Sequence, residues 1–396
     1  MFSQQSVLSQ RDFCAFDVGA FSIKALACST STGKLEIRAS ARVRHVRRDM
    51  PNGPFSNPSA LAVSLRAACA KLAETLGGPV PPDAVFAFGH LDFFFDAISF
   101  NSVRKDADAP VTAQEMAELV RAVEGLSLSR VRSRVAVESR LTETAIQPVT
   151  SLINFISLDR RPVARAVGET GRNLKVGFLN AFAPRSCVQV IKRAARSAGL
   201  RLAGVVPEGL ALAKAVDEAR HPSATSLLLD FGAASVTASV LHGQQVRGWA
   251  SVPLGYDALE RMLTQAGLHA IEASNALAKG VFEGAAAAPF ARYCDYCAKG
   301  VAACLEAVDR SGAAHAYVSG AAVFPALVDA VRKELGAGYD TVPFLPLSDA
   351  CGLLRDAKLD GAWCAVAGAA KAGAEMALPV HDPLLRTLRT ILYRYE

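Results

Sequence analysis

Two stretches of the chain end an apolar run in Asp, one hydrophobic residue and Gly: FCAFDVGAFSI at 13–23 and LLLDFGAASV at 227–236. Small or polar residues follow each, so each reads as a strand that reverses through a tight turn. Such a turn aims backbone N–H groups into one small concavity, and Gly lets that backbone approach a ligand with no Cβ in the way. The chemistry this fits is the holding of phosphate oxygens. The carboxylates of Asp17 and Asp230 would face each other across a cleft and position a hydrated Mg²⁺, an ion that keeps several waters and takes few protein ligands. One Asp-x-Gly turn alone is just a turn; two, each after an apolar strand and before a hairpin, are a repeated device.

Other clusters offer less chemistry. RYCDYCAKGVAAC carries Cys294, Cys297 and Cys304, but no second pair or His stands nearby at zinc-ligand spacing. The nine cysteines mostly sit inside apolar runs and read as small buried hydrophobes in a reducing compartment. Basic residues cluster in ARVRHVRRDM (41–50), RVRSR (130–134) and SLDRRPVARAV (157–167). None is interleaved with stacking aromatics, so each reads as a solvated face and no nucleic-acid partner is expected.

The elements that must position the two turns are legible in outline. At 396 residues the chain is long enough for two lobes, and 51% apolar with 20% charged residues suits large buried cores. No apolar run approaches the length of a membrane span, and the first ten residues lack the features of a signal peptide, so a cytosolic chain is expected. The first turn leads into a hairpin closed at Ser31–Lys34, then a helix over 58–77 and a buried strand, AVFAFG. Thr112 with Glu115 forms a capping box for the helix TAQEMAELVRAV. The stretches RVAVESRLTETAI and SLINFISL alternate as strands do, which makes 92–173 a small α+β insertion. The main chain resumes at NLKVGFLNAF. The second half repeats the plan: a hairpin turning near His242, a mostly helical stretch at 257–310, then the strand HAYVSG and the helix FPALVDAVRKEL.

The set of motifs resembles the actin-like ATPase superfamily. DVGAFSIK (17–24) stands as its first phosphate loop, DFGAASVT (230–237) as its second and YVSGAAVFPAL (317–327) as its adenosine motif, with VVPEGLALAKAV (205–216) and the Ala-rich helix at 290–308 as linking helices. Within the superfamily the chain is similar, over nearly its whole length, to the bacterial cell-division protein FtsA. The features that carry this are RRDMPNGPFSNPSALAVSLRAACAKLAETLG, the insertion with PVTAQEMAELV and SLDRRPVARAVGETGRNLKV, VPLGYDALERML, and WCAVAGAAKAG (363–373).

The resemblance implies an α/β, actin-like ATPase fold: two lobes of ribonuclease-H-like sheets and a small inserted subdomain. Residues 11–91 and 174–225 would form the first lobe, 92–173 an SHS2-like insertion, 226–375 the second lobe, and 376–396 a linker and amphipathic helix. It implies ATP and Mg²⁺ as cofactors. Gly19, Ala20 and Lys24 from the first loop and Gly232, Ala233 and Ala234 from the second would contact phosphates. Asp17 and Asp230 would hold Mg²⁺ through water, and Glu208 would orient an attacking water. Lys279, Gly320 and Ala321 would flank ribose and adenine. The chain departs from the pattern where glycines and hydroxyl residues become Ala20, Phe21, Ala233, Ala234, Ala321 and Ala322. An Ala adds a methyl and disfavours φ > 0, so weak ATP binding with at most slow turnover is expected, and a nucleotide-free scaffold stands as the alternative.

The implied partners are the C-terminal peptide of the division filament protein FtsZ, other division proteins, further copies of the chain in filaments, and lipid on the inner face of the cell membrane. The residues themselves offer a means of attachment. In DPLLRTLRTILYRYE, Leu384, Leu385, Leu388, Ile391, Leu392 and Tyr395 share one helical face, rimmed by arginines. That pattern fits a helix lying in an anionic membrane interface, with a helix docked on its own domain as the alternative. The resemblance implies the membrane.

Two other readings compete. DVGAFSIK, with Ser22 and Lys24, is also similar to the first loop of PilM-like proteins, cytoplasmic components of a type IV pilus or secretion platform. A sugar or acetate kinase of the same fold would need intact phosphate loops and a catalytic carboxylate beside its substrate.

Overall fold

The computed structural model describes residues 12–376 apart from 32–33, 47–53, 90–93, 140–144, 164–165, 218–223, 243–244, 309–311, 321 and 337. Strand β1 (Asp12–Val18) is buried from Phe13 to Val18, as its near-continuous apolar sequence requires of a central strand covered on both faces. It pairs antiparallel with β2 (Ser22–Ser29), which places Asp17 opposite Lys24. Next, β2 pairs antiparallel with β3 (Glu36–Arg44), placing Lys24 opposite Arg42 and Ser22 opposite Arg44. On its other side β1 pairs in parallel with β4 (Asp83–Phe88), and β4 in parallel with β9 (Arg201–Pro207). The first sheet therefore runs β3-β2-β1-β4-β9.

With α3 (Arg185–Ser197) packed beside it, helix α1 (Pro58–Leu76) covers this sheet. It starts where the Asn57 side chain accepts from the N–H groups of Ser59 and Ala60, and it stops at Gly77, which takes the left-handed conformation at φ 68°. Leu61, Leu65, Ala68 and Leu72 recur at helical spacing and are buried.

The second lobe repeats the plan. Strand β10 (Thr225–Phe231) pairs antiparallel with β11 (Val236–His242), and β11 with β12 (Gln245–Val252). On the other side β10 runs parallel with β13 (His315–Gly320), which is flanked by β14 (Phe344–Pro346). Around this sheet lie α5 (Tyr256–Gln265), α6 (Ala270–Lys279), α7 (Ala287–Val308), α8 (Pro325–Leu335) and α9 (Gly352–Asp356). Cys294, Cys297 and Cys304 lie on the buried face of α7, where burial raises their thiols to about 11, 12 and 11. Among the described residues no helix is long and apolar enough to cross a membrane.

Between the two halves of the first lobe the chain builds a third sheet, β5-β8-β6-β7. Its strands are β5 (Phe94–Val103), β6 (Ile146–Leu158), β7 (Arg161–Pro162) and β8 (Asn173–Pro184), and α2 (Ala113–Ser139) packs on it. Two sequence expectations are corrected here. RVAVES is the end of α2, not a strand: Val131 and Val135, four residues apart, are both buried, which is helical spacing. NLKVGFLNAF does not return to the first-lobe sheet, because β8 pairs along its length with β5 and β6. A continuous apolar run suits either sheet, so its pattern could not say which one it joins.

Two helices tie the lobes together. Helix α4 (Glu208–Ala215) follows β9, and α10 (Cys364–Met376) comes back from the second lobe to pack on α4, β1 and β4. At Gly368 the two helices are so close that an added Cβ would stand 1.6 Å from the Ala211 carbonyl oxygen. Nearby, the Lys371 ammonium donates to Asp217 Oδ1 at 2.8 Å and to the Ala215 carbonyl at 2.9 Å. Asp217 Oδ2 accepts from the Gly352 N–H at 2.8 Å, at the start of α9. One carboxylate thus joins both crossings to the second lobe.

Candidate functional site

Both Asp-x-Gly turns open onto one cavity of about 620 Å³ between the lobes. The same small device builds each turn: the Gly19 N–H donates to the Ser22 carbonyl at 3.1 Å, and the Gly232 N–H to the Ser235 carbonyl at 2.9 Å. Among the described residues, the N–H groups of Ala20, Ala233 and Ala234 take part in no backbone hydrogen bond. The alanines are compatible with this geometry, since Asp159, Arg160 and Lys358 are the described non-glycine residues with positive φ. The strain expected from the Gly-to-Ala departures is therefore absent at 233, 234 and 322. Gly320 is the position that needs its glycine, with φ 104° and space for no Cβ beside the Phe231 carbonyl.

The charged groups are arranged across the cavity. Lys24 Nζ donates to Asp17 Oδ2 at 2.7 Å. Burial works against the Lys24 charge, but Asp17, helped by Asp230, outweighs it and raises the ammonium above its ordinary range. Ser319 donates to Asp230 Oδ1 at 2.5 Å. Burial pushes the Asp230 carboxyl up, with the Ser319 bond and Lys24 opposing. Glu208, the first residue of α4, is raised well above the ordinary carboxylate range by burial and then by the charges of Asp230 and Asp17, with Lys24 opposing. A carboxyl tuned upward in a cleft can orient a water.

The Glu208 shift has a stability consequence with a definite sign. Between the ordinary Glu range and its own raised value, the folded chain holds a proton that the unfolded chain has lost, so stability falls as pH rises through that window. Glu208→Gln is expected to be more stable than the parent at about pH 8, with the gap closing at about pH 4. Urea unfolding at the two pH values checks it, and a gap that persists in acid counts against burial as the cause.

Several residues at the cavity carry no sequence signature that singled them out. His45 closes the back of the first loop: Nε2 stands 3.0 Å from the Gly19 carbonyl and Nδ1 3.0 Å from Ser64 Oγ on α1. A carbonyl can only accept, so Nε2 donates and Nδ1 accepts from the serine. Burial lowers the pKa of His45, against the Gly19 bond and the Asp17 charge, which favours this neutral form. Arg42 and Arg44 line the cavity itself, where the sequence suggested a solvated basic face; His45 stands behind the loop and outside the lining. In the second lobe the start of α5 grips the other loop: Tyr256 N–H donates to the Gly232 carbonyl at 3.0 Å and Asp257 N–H to the Ala233 carbonyl at 2.9 Å. Gly255 permits this, because a Cβ there would fall 2.3 Å from the Ala233 oxygen.

Of the residues proposed from sequence, Asp17, Gly19, Ala20, Lys24, Glu208, Asp230, Gly232, Ala233 and Gly320 line this one cavity. Ala234 does not; its carbonyl accepts from the Gly255 N–H at 3.3 Å. Lys279 is exposed at the end of α6 and outside the lining, to which that helix contributes Ser274, Leu277 and Ala278. Ala321 and the face made by Leu384, Leu385, Leu388, Ile391, Leu392 and Tyr395 lie outside the described residues.

Two sheets of matching strand order, hinged by paired helices around a shared cleft, give the actin-like ATPase fold. Among solved structures, a chain of a PilM–PilN type IV pilus biogenesis complex matches 92% of this chain and 99% of its own length, with TM-score 0.67 and 15% identity. The ethanolamine utilization protein EutJ from Carboxydothermus hydrogenoformans matches 92% of this chain and 91% of its own, with TM-score 0.50 and 13% identity. At such identities the likeness is one of fold. No protein-family model and no curated protein matches the sequence.

Proposed function

We propose that the chain is an FtsA-like adaptor, a nucleotide-binding protein that tethers FtsZ filaments to the inner face of the cell membrane and self-associates. The observation that carries the nucleotide part is the convergence of both Asp-x-Gly turns, Lys24 and Gly320 on one cavity. The donor set suits the ligand: unpaired backbone N–H groups beside a lysine for phosphate oxygens, and a Cβ-free wall at Gly320 for the nucleoside. Asp17 and Asp230 each have one oxygen engaged, by Lys24 and Ser319, and keep the other for the waters of Mg²⁺. Bound Mg²⁺ would supply charge neutralisation for the phosphates.

The chain's own groups then divide the work. Lys24 balances phosphate charge, His45 holds the first loop in shape, and Glu208 orients a water. Ala20 and Phe21 offer no side-chain hydroxyl to the phosphates, which fits a nucleotide that sets conformation and turns over slowly. The inserted sheet β5-β8-β6-β7 supplies a surface for other proteins, and residues 382–396 supply the contact with lipid.

Sedimentation with anionic vesicles tests the tether. The full chain is expected to pellet with the vesicles, and Leu388→Glu or removal of 382–396 to leave it in the supernatant. Pelleting unchanged by both alterations would overturn the tether.

One observation favours a second reading, a PilM-like component of a pilus or secretion platform: the fold likeness to that complex extends over nearly all of both chains. That reading expects the full chain to ignore vesicles and to bind a short cytoplasmic peptide of a membrane partner. Vesicle binding by the chain alone separates the two.

A further inference from the structure

The face of the first sheet that meets the cavity carries more positive charge than its own carboxylates balance. Lys24 and Arg42 are directly opposite each other on β2 and β3, and Arg44 is opposite Ser22 one step nearer the turn. Like charges placed directly opposite in a sheet repel and destabilise it. The repulsion registers on Lys24, whose charge Arg42 disfavours. Asp17 relieves Lys24 by a direct ion pair, and among the described residues no carboxylate pairs with Arg42 or Arg44. The two guanidinium groups are nonetheless held in place. Arg42 Nε donates to Ser22 Oγ at 3.4 Å, and Arg44 lies over the Phe21 ring, 5.4 Å from its centroid. Both anchors belong to the first loop, and both arginines line the cavity beside it. Phe21 in turn approaches Tyr256 of the second lobe, ring centroids 6.2 Å apart. Positioned forks with N–H groups to spare match the geometry of phosphate oxygens.

We propose that Arg42 and Arg44 form a clamp for the terminal phosphates of a nucleoside triphosphate bound in the cleft. The proposal rests on the reading of the cavity as a nucleotide site. Phosphate charge cancels the like-charge arrangement on β2 and β3, so the ligand completes the ladder Asp17–Lys24–Arg42. The arginines supply fixed positive charge from the protein, so the chain prefers triphosphate over monophosphate even where the divalent cation is removed.

Equilibrium binding of adenosine, AMP, ADP and ATP, each in Mg²⁺ and in EDTA, tests this on the full-length parent, Arg42→Ala/Arg44→Ala and Arg42→Lys/Arg44→Lys. The parent is expected to bind ATP more tightly than AMP in both buffers. The alanine pair is expected to lose about tenfold or more in ATP affinity, the loss of charge-assisted hydrogen bonds, while its adenosine and AMP affinities stay at parent values. The lysine pair keeps the charge without the fork and should fall between. Both arginines are exposed, and matching thermal melts of the variants exclude misfolding. Parent-like ATP affinity in the alanine pair overturns the clamp and leaves the nucleotide site standing, as does loss of the ATP preference in EDTA. A parent chain that binds none of the four ligands overturns the site and the clamp together.

Discussion

Gly368→Ala is expected to destabilise the chain by about 3 kcal/mol, against the direction that helix propensity alone would give. In an open helical position, replacing Gly by Ala gains roughly 0.5–1 kcal/mol, because alanine loses less backbone freedom on folding. Gly368 is not an open position. Its added methyl would lie 1.6 Å from the Ala211 carbonyl oxygen and 2.4 Å from the carbonyl carbon, and backbone cannot swing aside as a side chain can. Relief requires α10 to move away from α4, which uncovers buried Ala365, Ala367, Ala369 and Ala372. Overpacking of a tight core costs typically 1–3 kcal/mol, and a clash with backbone falls at the top of that range. Gly125 in α2 is the matched control, with nothing within 4 Å of its added Cβ, and Gly125→Ala should raise stability slightly. Urea unfolding of the two variants decides it: if Gly368→Ala is as stable as Gly125→Ala, the close approach of the two helices is wrong.

Gly320→Ala is the second large effect, and it reaches the cavity directly. Two costs coincide. The residue holds φ 104°, a region that L-residues occupy at a cost of about 1–3 kcal/mol. The added Cβ would also stand 2.3 Å from the Phe231 carbonyl oxygen, and a shift there moves the strand end that carries Asp230. Ser319, the neighbour that donates to Asp230, moves with it. The variant should lose about 3 kcal/mol of stability and, on the nucleotide reading, bind adenosine at least about tenfold more weakly. Thermal melts and adenosine titration read the two effects separately. Parent-like values in both would mean that the turn after β13 is not built as described.

What the sequence disclosed and what it hid follow from how each residue is placed. The two acidic turns were legible because strand, Asp-x-Gly and hairpin are contiguous, so local pattern suffices. Gly320 was legible for the same reason. Arg42, Arg44 and His45 were not, because their meaning depends on which residue of β2 stands opposite. That pairing includes a register shift between Ala27 and Cys28, and a one-residue slip would turn the arginines to the other face. An exposed basic strand and the rim of a cavity look alike in one dimension. Lys279 shows the opposite limit: it lies on a helix that borders the cavity, but Ser274 and Ala278, four residues apart, mark the face that meets the cavity, and Lys279 is one position beyond it. The alternation in RVAVES has the period of a strand, and its helical partner, Val131, lies upstream of that stretch, four residues before Val135.

The chain passes between lobes twice, once after α4 and once before α10, with Asp217 bridging the two passages. A single connecting strand would let one half swivel in any direction, whereas a pair of side-by-side connections works like a door on two pins and leaves one axis of rotation. Opening would then spread Phe21 and Tyr256 apart at the far rim, while the Gly368–Ala211 contact, close to the axis, scarcely moves. An occupant of the cleft that spread or drew together the two halves would then be read out as an angle, and anything gripping both halves from outside would sense it.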